Sequence, residues 1–355
     1  MSYARGALAS DKHPYRGLCC EAIATRLGHW AQPVHPLCNL ALSRSLRAGL
    51  REAEGADLEL ASHGRKARMT HRMVKGPRRT VRTTAMGLAA AAAVVLVAVE
   101  LPSTASAAAP NWAPAGQASI HPGVMTSTEG GDCTSNFIYY NATDVFIGQA
   151  AHCAGTGAPT ETSGCTAGTK PLGTKVTING ASKPGTLVYS SWITMAQRHE
   201  QDTNTCDFND LALVKIDPAD RDKINPSVPF FGGPIGISMT PIAAGDRIYT
   251  YGNSPLRAGV TALSPKAGFS LGDDAGGWTH TCYTATPGIP GDSGSAVLTH
   301  DGKALGVLAS LALAPVAGSN GVGDLFRELD YLNAHGGLGT VTLAPGTEPF
   351  HAIIP

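Results

Sequence analysis

The sequence predicts an all-β fold, closed by one helix near its C-terminal end. Three observations carry the prediction. Short β-branched and aromatic runs recur through the second two-thirds of the chain, Gly, Pro and Asn separate them, and a single stretch shows helical periodicity. The runs are 136–140, 144–149, 175–178, 186–189, 211–216, 247–251, 260–263, 279–284, 295–298 and 304–311. Asn141-Ala142-Thr143 joins the first two as a hairpin loop. Leu325, Leu329 and Leu332 recur at helical spacing with charges between them, and Gly336-Gly337 ends the pattern. About 240 residues of this kind bury a sizeable core as one or two barrels.

The chain has 355 residues and no net formal charge, but that zero conceals two unlike parts. Residues 1–107 hold 15 Lys and Arg against 7 Asp and Glu, whereas residues 108–355 hold 12 against 20. An acidic body argues against nucleic acid as a partner, since phosphate binding needs clustered Lys and Arg. Within the basic part, Arg72, Lys75, Arg78, Arg79 and Arg82 precede an apolar stretch of 15 residues, 85–99, and small residues follow over 104–109. That is the grammar of a secretory signal peptide over 69–107, with cleavage after Ala107 or Ala109. The apolar run falls short of the ~20 residues of a comfortable membrane span. The expectation is therefore a secreted, extracellular body with no stable membrane anchor after cleavage; the alternative is an N-terminal anchor. Arg78-Arg79 leaves Sec and twin-arginine export both open. Residues 1–68 read as an upstream extension without recognisable chemistry. Residues 108–132, rich in Ala, Pro, Gly and Ser, read as a linker or short pro-segment, and 336–355 as a C-terminal tail.

Three of the eight cysteines (Cys19, Cys20, Cys38) lie in the extension, leaving Cys133, Cys153, Cys165, Cys206 and Cys282 in the body. An oxidising compartment favours pairing, and an odd count leaves one thiol over. None of the five has C-x-x-C spacing, so neither a metal nor another cofactor is expected.

Three segments carry chemistry. Gly148-Gln-Ala-Ala-His152-Cys153 ends an apolar run, Asn209-Asp210 opens another, and Pro287-Gly-Ile-Pro-Gly291-Asp292-Ser293-Gly-Ser295 is a glycine-rich turn feeding a third. A serine hydroxyl is a weak nucleophile and needs a base, a role His152 can fill near neutral pH. A carboxylate behind the imidazole, here Asp210, fixes its tautomer and stabilises the imidazolium. Glycines around Ser293 let the N–H groups of Gly291 and Ser293 face a developing oxyanion. Each segment alone is weak. The order His…Asp…Ser is specific, because other hydrolase folds present the same three residues in other orders.

In these segments the chain resembles the chymotrypsin/trypsin-like serine proteases, in their secreted bacterial branch, over roughly residues 118–335. Ala-Ala-His152-Cys153, Asn209-Asp210-Leu-Ala-Leu and Gly291-Asp-Ser-Gly-Ser295 are similar to that family's A-A-H-C, D-I-A-L and G-D-S-G-G. The resemblance implies two six-stranded antiparallel barrels, about 118–235 and 236–320, with the helix behind. It implies a monomeric endopeptidase acting on proteins or peptides through an acyl-enzyme; a non-catalytic binding module and a secreted esterase are the alternatives. It implies a Cys133–Cys153 bridge, which the chain-entropy model values at ~3 kcal/mol. Cys165–Cys206 is the second expected pair, leaving Cys282 as one alkylatable thiol, with Cys165–Cys282 or an intermolecular bridge as alternatives. The family's Arg/Lys-Ile-Val-Gly-Gly activation site is missing, and bacterial members bury an internal arginine against the Asp before the nucleophile. Arg247 and Arg257 are the candidates to pair with Asp292. Pro287 stands where trypsin has its specificity carboxylate, and Ala309, Ser310 and bulky Leu311 stand at the pocket wall. A narrow pocket preferring small or medium apolar side chains follows. His280 is either a pocket residue, as a histidine is in glutamate-specific relatives, or a satisfied strand residue.

Overall fold

The computed structural model describes residues 109–158, 162–312 and 316–354. The upstream extension and signal peptide lie outside the described residues. In chain order come β1 (Met125–Thr128), β2 (Gly131–Thr134), β3 (Ile138–Tyr140), β4 (Val145–Ala150), β5 (Lys175–Ile178) and β6 (Gly185–Ser190). Then follow α1 (Ser191–Arg198), α2 (Thr203–Phe208) and β7 (Leu211–Lys215). The second half holds β8 (Arg247–Tyr251), β9 (Pro265–Asp274), β10 (Thr279–Thr284), β11 (Ala296–Thr299), β12 (Ala304–Leu311) and β13 (Asn320–Asp324). It closes with α3 (Leu325–His335) and β14 (Thr342–Leu343).

These strands form two antiparallel assemblies. Strands β8–β13 close a six-stranded barrel in the order β10-β13-β12-β11-β8-β9. The first half is an eight-stranded sheet in the order β14-β3-β4-β7-β6-β5-β1-β2. It exceeds the expected six because β1–β7 already supply seven strands and the chain returns to add the eighth: Thr342 and Leu343 pair with Tyr140 and Tyr139. The tail is thus woven into the fold, with Val341, Leu343 and Ala344 buried and Phe350 packed on Tyr249. At the other end Ile120 and Val124 are buried as well, so the Ala- and Pro-rich stretch before β2 contributes to the core.

Strands β4 and β7 are largely apolar, Gln149 and Lys215 excepted, because both faces are covered. Ile147 and Val214 face a cluster with Ile138, Val176, Leu187 and Met195. Phe146, Leu211 and Leu213 face a second cluster that joins the two assemblies, containing Tyr249, Leu298 and Val307 of the barrel. Leu325, Leu329 and Leu332 of α3 enter this same cluster, which is why one apolar stripe is enough to hold the helix. Asp324 caps it, its carboxylate accepting from Arg327 N at 2.9 Å.

Two differences from the sequence reading have local causes. Run 260–263 is no strand: Ala258 and Gly259 both take positive φ, and Thr261–Leu263 is a 3-10 turn with Val260 and Leu263 exposed. Strand β9 follows it, hidden in sequence by glycines and charges (Pro-Lys-Ala-Gly-Phe-Ser-Leu-Gly-Asp-Asp). Helices α1 and α2 are short, and their β-branched and polar residues carry little helical signal.

Candidate active site

The sheet register brings the first two residues together. β4 pairs with β7 so that Ala150 lies opposite Leu211. The 3-10 turn after β4 (Ala151–Ala154) holds His152, and the residue before β7 is Asp210, so the two become neighbours across the strand ends. Ala151 N donates to Asp210 O at 2.7 Å. One carboxylate oxygen of Asp210 accepts from the His152 backbone N–H at 2.8 Å, and the other lies 2.6 Å from Nδ1 of the ring. That grip fixes the ring and directs its Nε2 edge outward. The imidazole is 28% exposed and Asp210 9%, leaving the ring reachable while the carboxylate is shielded. Burial works to lower the His152 pKa, but the charge and hydrogen bond of Asp210 outweigh it and raise it above the ordinary value. Trp192 of α1, itself buried, lies beside the imidazole with ring centroids 6.5 Å apart.

Ser293 comes from the barrel, on the loop into β11. Thr134 N donates to Ser293 O at 2.9 Å, and Thr134 Oγ1 donates to Gly291 O at 2.8 Å. Gly294 packs against the backbone of Thr134 and Ala150, two residues before His152. Cys133 and Cys153 are joined, tying the strand that touches Ser293 to the turn that holds His152. The second bridge is Cys165–Cys206. With its two cysteines bridged, the Cys133/His152/Cys153 grouping offers a metal no thiolate.

The turn at Ser293 has an unusual disposition of donors. Gly291 takes φ +93°, a left-handed conformation suited to glycine. Asp292 N turns inward to Ile289 O at 2.8 Å. Among the described residues, the N–H groups of Gly291 and Ser293 on either side have no acceptor, and the Ser293 hydroxyl makes no hydrogen bond.

Asp292 anchors this turn from beneath and is fully buried. Its carboxylate meets Arg257 Nη2 at 2.7 Å and Lys266 Nζ at 3.3 Å, and accepts from Ser254 N and Ile289 N. Of the two arginine candidates, Arg257 is the partner; Arg247 is exposed and lies over the Phe269 ring. Lys266 was not foreseen. Burial lowers its pKa to about 8 despite the attraction of Asp292. A Cβ at Gly252 would come within 2.4 Å of both Lys266 Nζ and Asp292 Oδ1, so the cluster needs bare backbone there.

Pro287 lies at the entry to the same turn, its carbonyl accepting from Arg257 Nη2 at 3.0 Å. Ala309, Ser310 and Leu311 end β12, the last two exposed. Asn320, unsignalled in the sequence, fastens these parts: Oδ1 accepts from Gly288 N at 2.8 Å, and Nδ2 donates to Ser310 O at 3.0 Å. His280 is no pocket residue. It is 1% exposed, with Nδ1 2.5 Å from Asp273 and Nε2 3.0 Å from Asp324, so both nitrogens are occupied. Cys282 is the free cysteine among the described residues; it is buried, and burial pushes its thiol up to about 12.

No family model and no curated protein matches this chain. Solved structures similar to it include protease A of Thermobifida fusca (18% identity over 64% of this chain and all of that one, TM-score 0.41). Another is a glutamic acid-specific serine protease described as using a histidine triad in substrate binding (16%, 63% and 100%, 0.39). A third is the chymotrypsin of Cellulomonas bogoriensis (16%, 63% and 98%, 0.38). At such low identity the assignment of function rests on this chain's own side chains. Among the described residues no helix is long and apolar enough to cross a membrane.

Proposed function

We propose that the chain is a secreted serine endopeptidase. His152 takes the Ser293 proton as the hydroxyl attacks a peptide carbonyl, then returns it to the leaving amine. Asp210 holds the Nδ1–H tautomer and stabilises the imidazolium. The N–H groups of Gly291 and Ser293 receive the oxyanion, each donor of this kind being worth ~2.7–4 kcal/mol in acyl transfer. Water then attacks the acyl-enzyme through the same base. The observation that carries this reading is the double grip of Asp210 on His152, at 2.8 and 2.6 Å, beside a turn with two uncommitted donors flanking Asp292.

The preferred residue before the cut is small or medium and apolar. Supporting this are Pro287, in the sequence position where trypsin carries its specificity carboxylate, and the bulky Leu311 that ends the Ala309–Leu311 segment. Secretion is supported by the signal-peptide grammar of 69–107 and by two disulfides. Digestion of a peptide library with the wild type and Ser293→Ala tests both activity and preference. Cleavage after Ala, Val or Leu by the wild type alone is expected; dominant cleavage after Arg or Lys contradicts the pocket, and none at all contradicts the endopeptidase.

A further inference from the structure

Behind Asp210 lies a second acid that the proposed chemistry does not use. Glu328, on the buried face of α3, is completely inaccessible to solvent. Its Oε1 accepts from the backbone N–H of Asp210 at 2.9 Å. Among the described residues no cation pairs with it, and Oε2 has no hydrogen-bond partner. A buried carboxylate without a counter-charge is costly, and such a group keeps its proton. Burial raises its pKa well above the usual range; the hydrogen bond from the Asp210 N–H works against this, but the nearby carboxylates of Asp210 and Asp324 add to the rise. The rings of Tyr139 and Tyr189, whose ionisation is opposed first by burial, stand near enough that a charge on Glu328 would oppose it further. A Cβ on Gly323 would come within 2.5 Å of Oε1 and 3.1 Å of Phe208 O, so room for the carboxyl is made by bare backbone in β13.

Asp210 is thereby held at every polar position. Its carbonyl accepts from Ala151, its carboxylate grips His152 twice, and its N–H, which would otherwise be buried and unmet, reaches Glu328. We propose that Glu328 is a positioning residue for the proposed triad, a neutral acid on the C-terminal helix that sets the backbone of Asp210 and through it the orientation of His152. The inference rests on the triad reading, and its role is that of an acceptor without charge.

Glu328→Gln keeps an acceptor without charge, whereas Glu328→Leu removes it. The full chain is used, and His152 is titrated by NMR in a Ser293→Ala background, which needs no activity. Glu328→Leu is expected to lower kcat roughly ten- to hundredfold with KM little changed, the consequence of one unmet buried N–H, and to shift the His152 titration. Glu328→Gln is expected to restore both. Wild-type kcat and titration in Glu328→Leu overturn the proposal, as does a Gln variant as impaired as the Leu one. Should the Leu variant fail to fold, amide exchange decides: the Asp210 N–H must be protected in the wild type and in Glu328→Gln, and fast exchange in either overturns it. A wild type that hydrolyses nothing refutes the proposed function instead, leaving the titration and exchange results standing.

Discussion

The two halves of the site are built by opposite means. His152 and Asp210 sit at adjacent ends of β4 and β7, strands buried on both faces, so sheet register alone makes them neighbours. Ser293 stands on a loop, tied to β2 through Thr134. What anchors that loop from beneath is charge: a buried carboxylate at Asp292 with two buried cations and two backbone N–H groups. A hydrophobic scaffold suits the proposed acid–base pair, whose distance must not vary. The turn of the proposed nucleophile needs its N–H groups facing outward, and inward anchoring of Asp292 leaves them free to do so.

Breaking the strand-borne half is expected to have the largest effect. Asp210→Asn leaves packing intact but favours the wrong imidazole tautomer, and turnover falls by roughly 10⁴, as in other triads. Steady-state kinetics beside an unchanged thermal melt checks this; a loss of tenfold or less contradicts the grip of Asp210 on His152.

Breaking the loop-borne half comes next. Arg257→Leu strips Asp292 of its shortest ion pair and destabilises the fold by about 3 kcal/mol, the low end for a broken buried pair, because Lys266 still faces the carboxylate. Urea unfolding reads the loss. In the same variant the His152 titration stays at its wild-type position, since the Cys133–Cys153 bridge and Thr134, which join the halves, are untouched; a shifted titration would contradict this.

Lys266 offers the smallest and most discriminating test. Its folded pKa of about 8 lies below the ordinary 10.5, so between these values the unfolded chain binds the extra proton. Its contribution to stability therefore rises with pH across that window. Unfolding measured from pH 8 to 10 should show a slope that Lys266→Met flattens, and an unchanged slope would mean that burial does not lower the lysine's pKa.

This contrast also explains what the sequence disclosed. His152, Asp210 and Ser293 each lie in a short segment next to a continuous apolar run, so motif and strand reinforce one another. Lys266 and Asn320 stand alone in weakly patterned stretches, whereas Glu328 reads as one of the charges between the leucines of a patterned helix, and it meets Asp210 across 118 residues. Their meaning is burial beside a particular partner, which no local pattern encodes. Val260 and Leu263 misled for the converse reason: they are apolar, yet exposed on a turn that positive φ at Ala258 and Gly259 bends away from any sheet. His280 was legible only as an ambiguity, since the carboxylates that occupy its nitrogens lie on β9 and at the start of α3.

Labelling by a fluorophosphonate, with the modified residue located by mass spectrometry, bears most directly on the triad. The account predicts modification at Ser293 alone, lost in Ser293→Ala and in His152→Ala, with a rate that falls on acidification through a pKa above the ordinary 6.5 of histidine. A wild type that reacts no faster than either variant, or that is modified elsewhere, would contradict it.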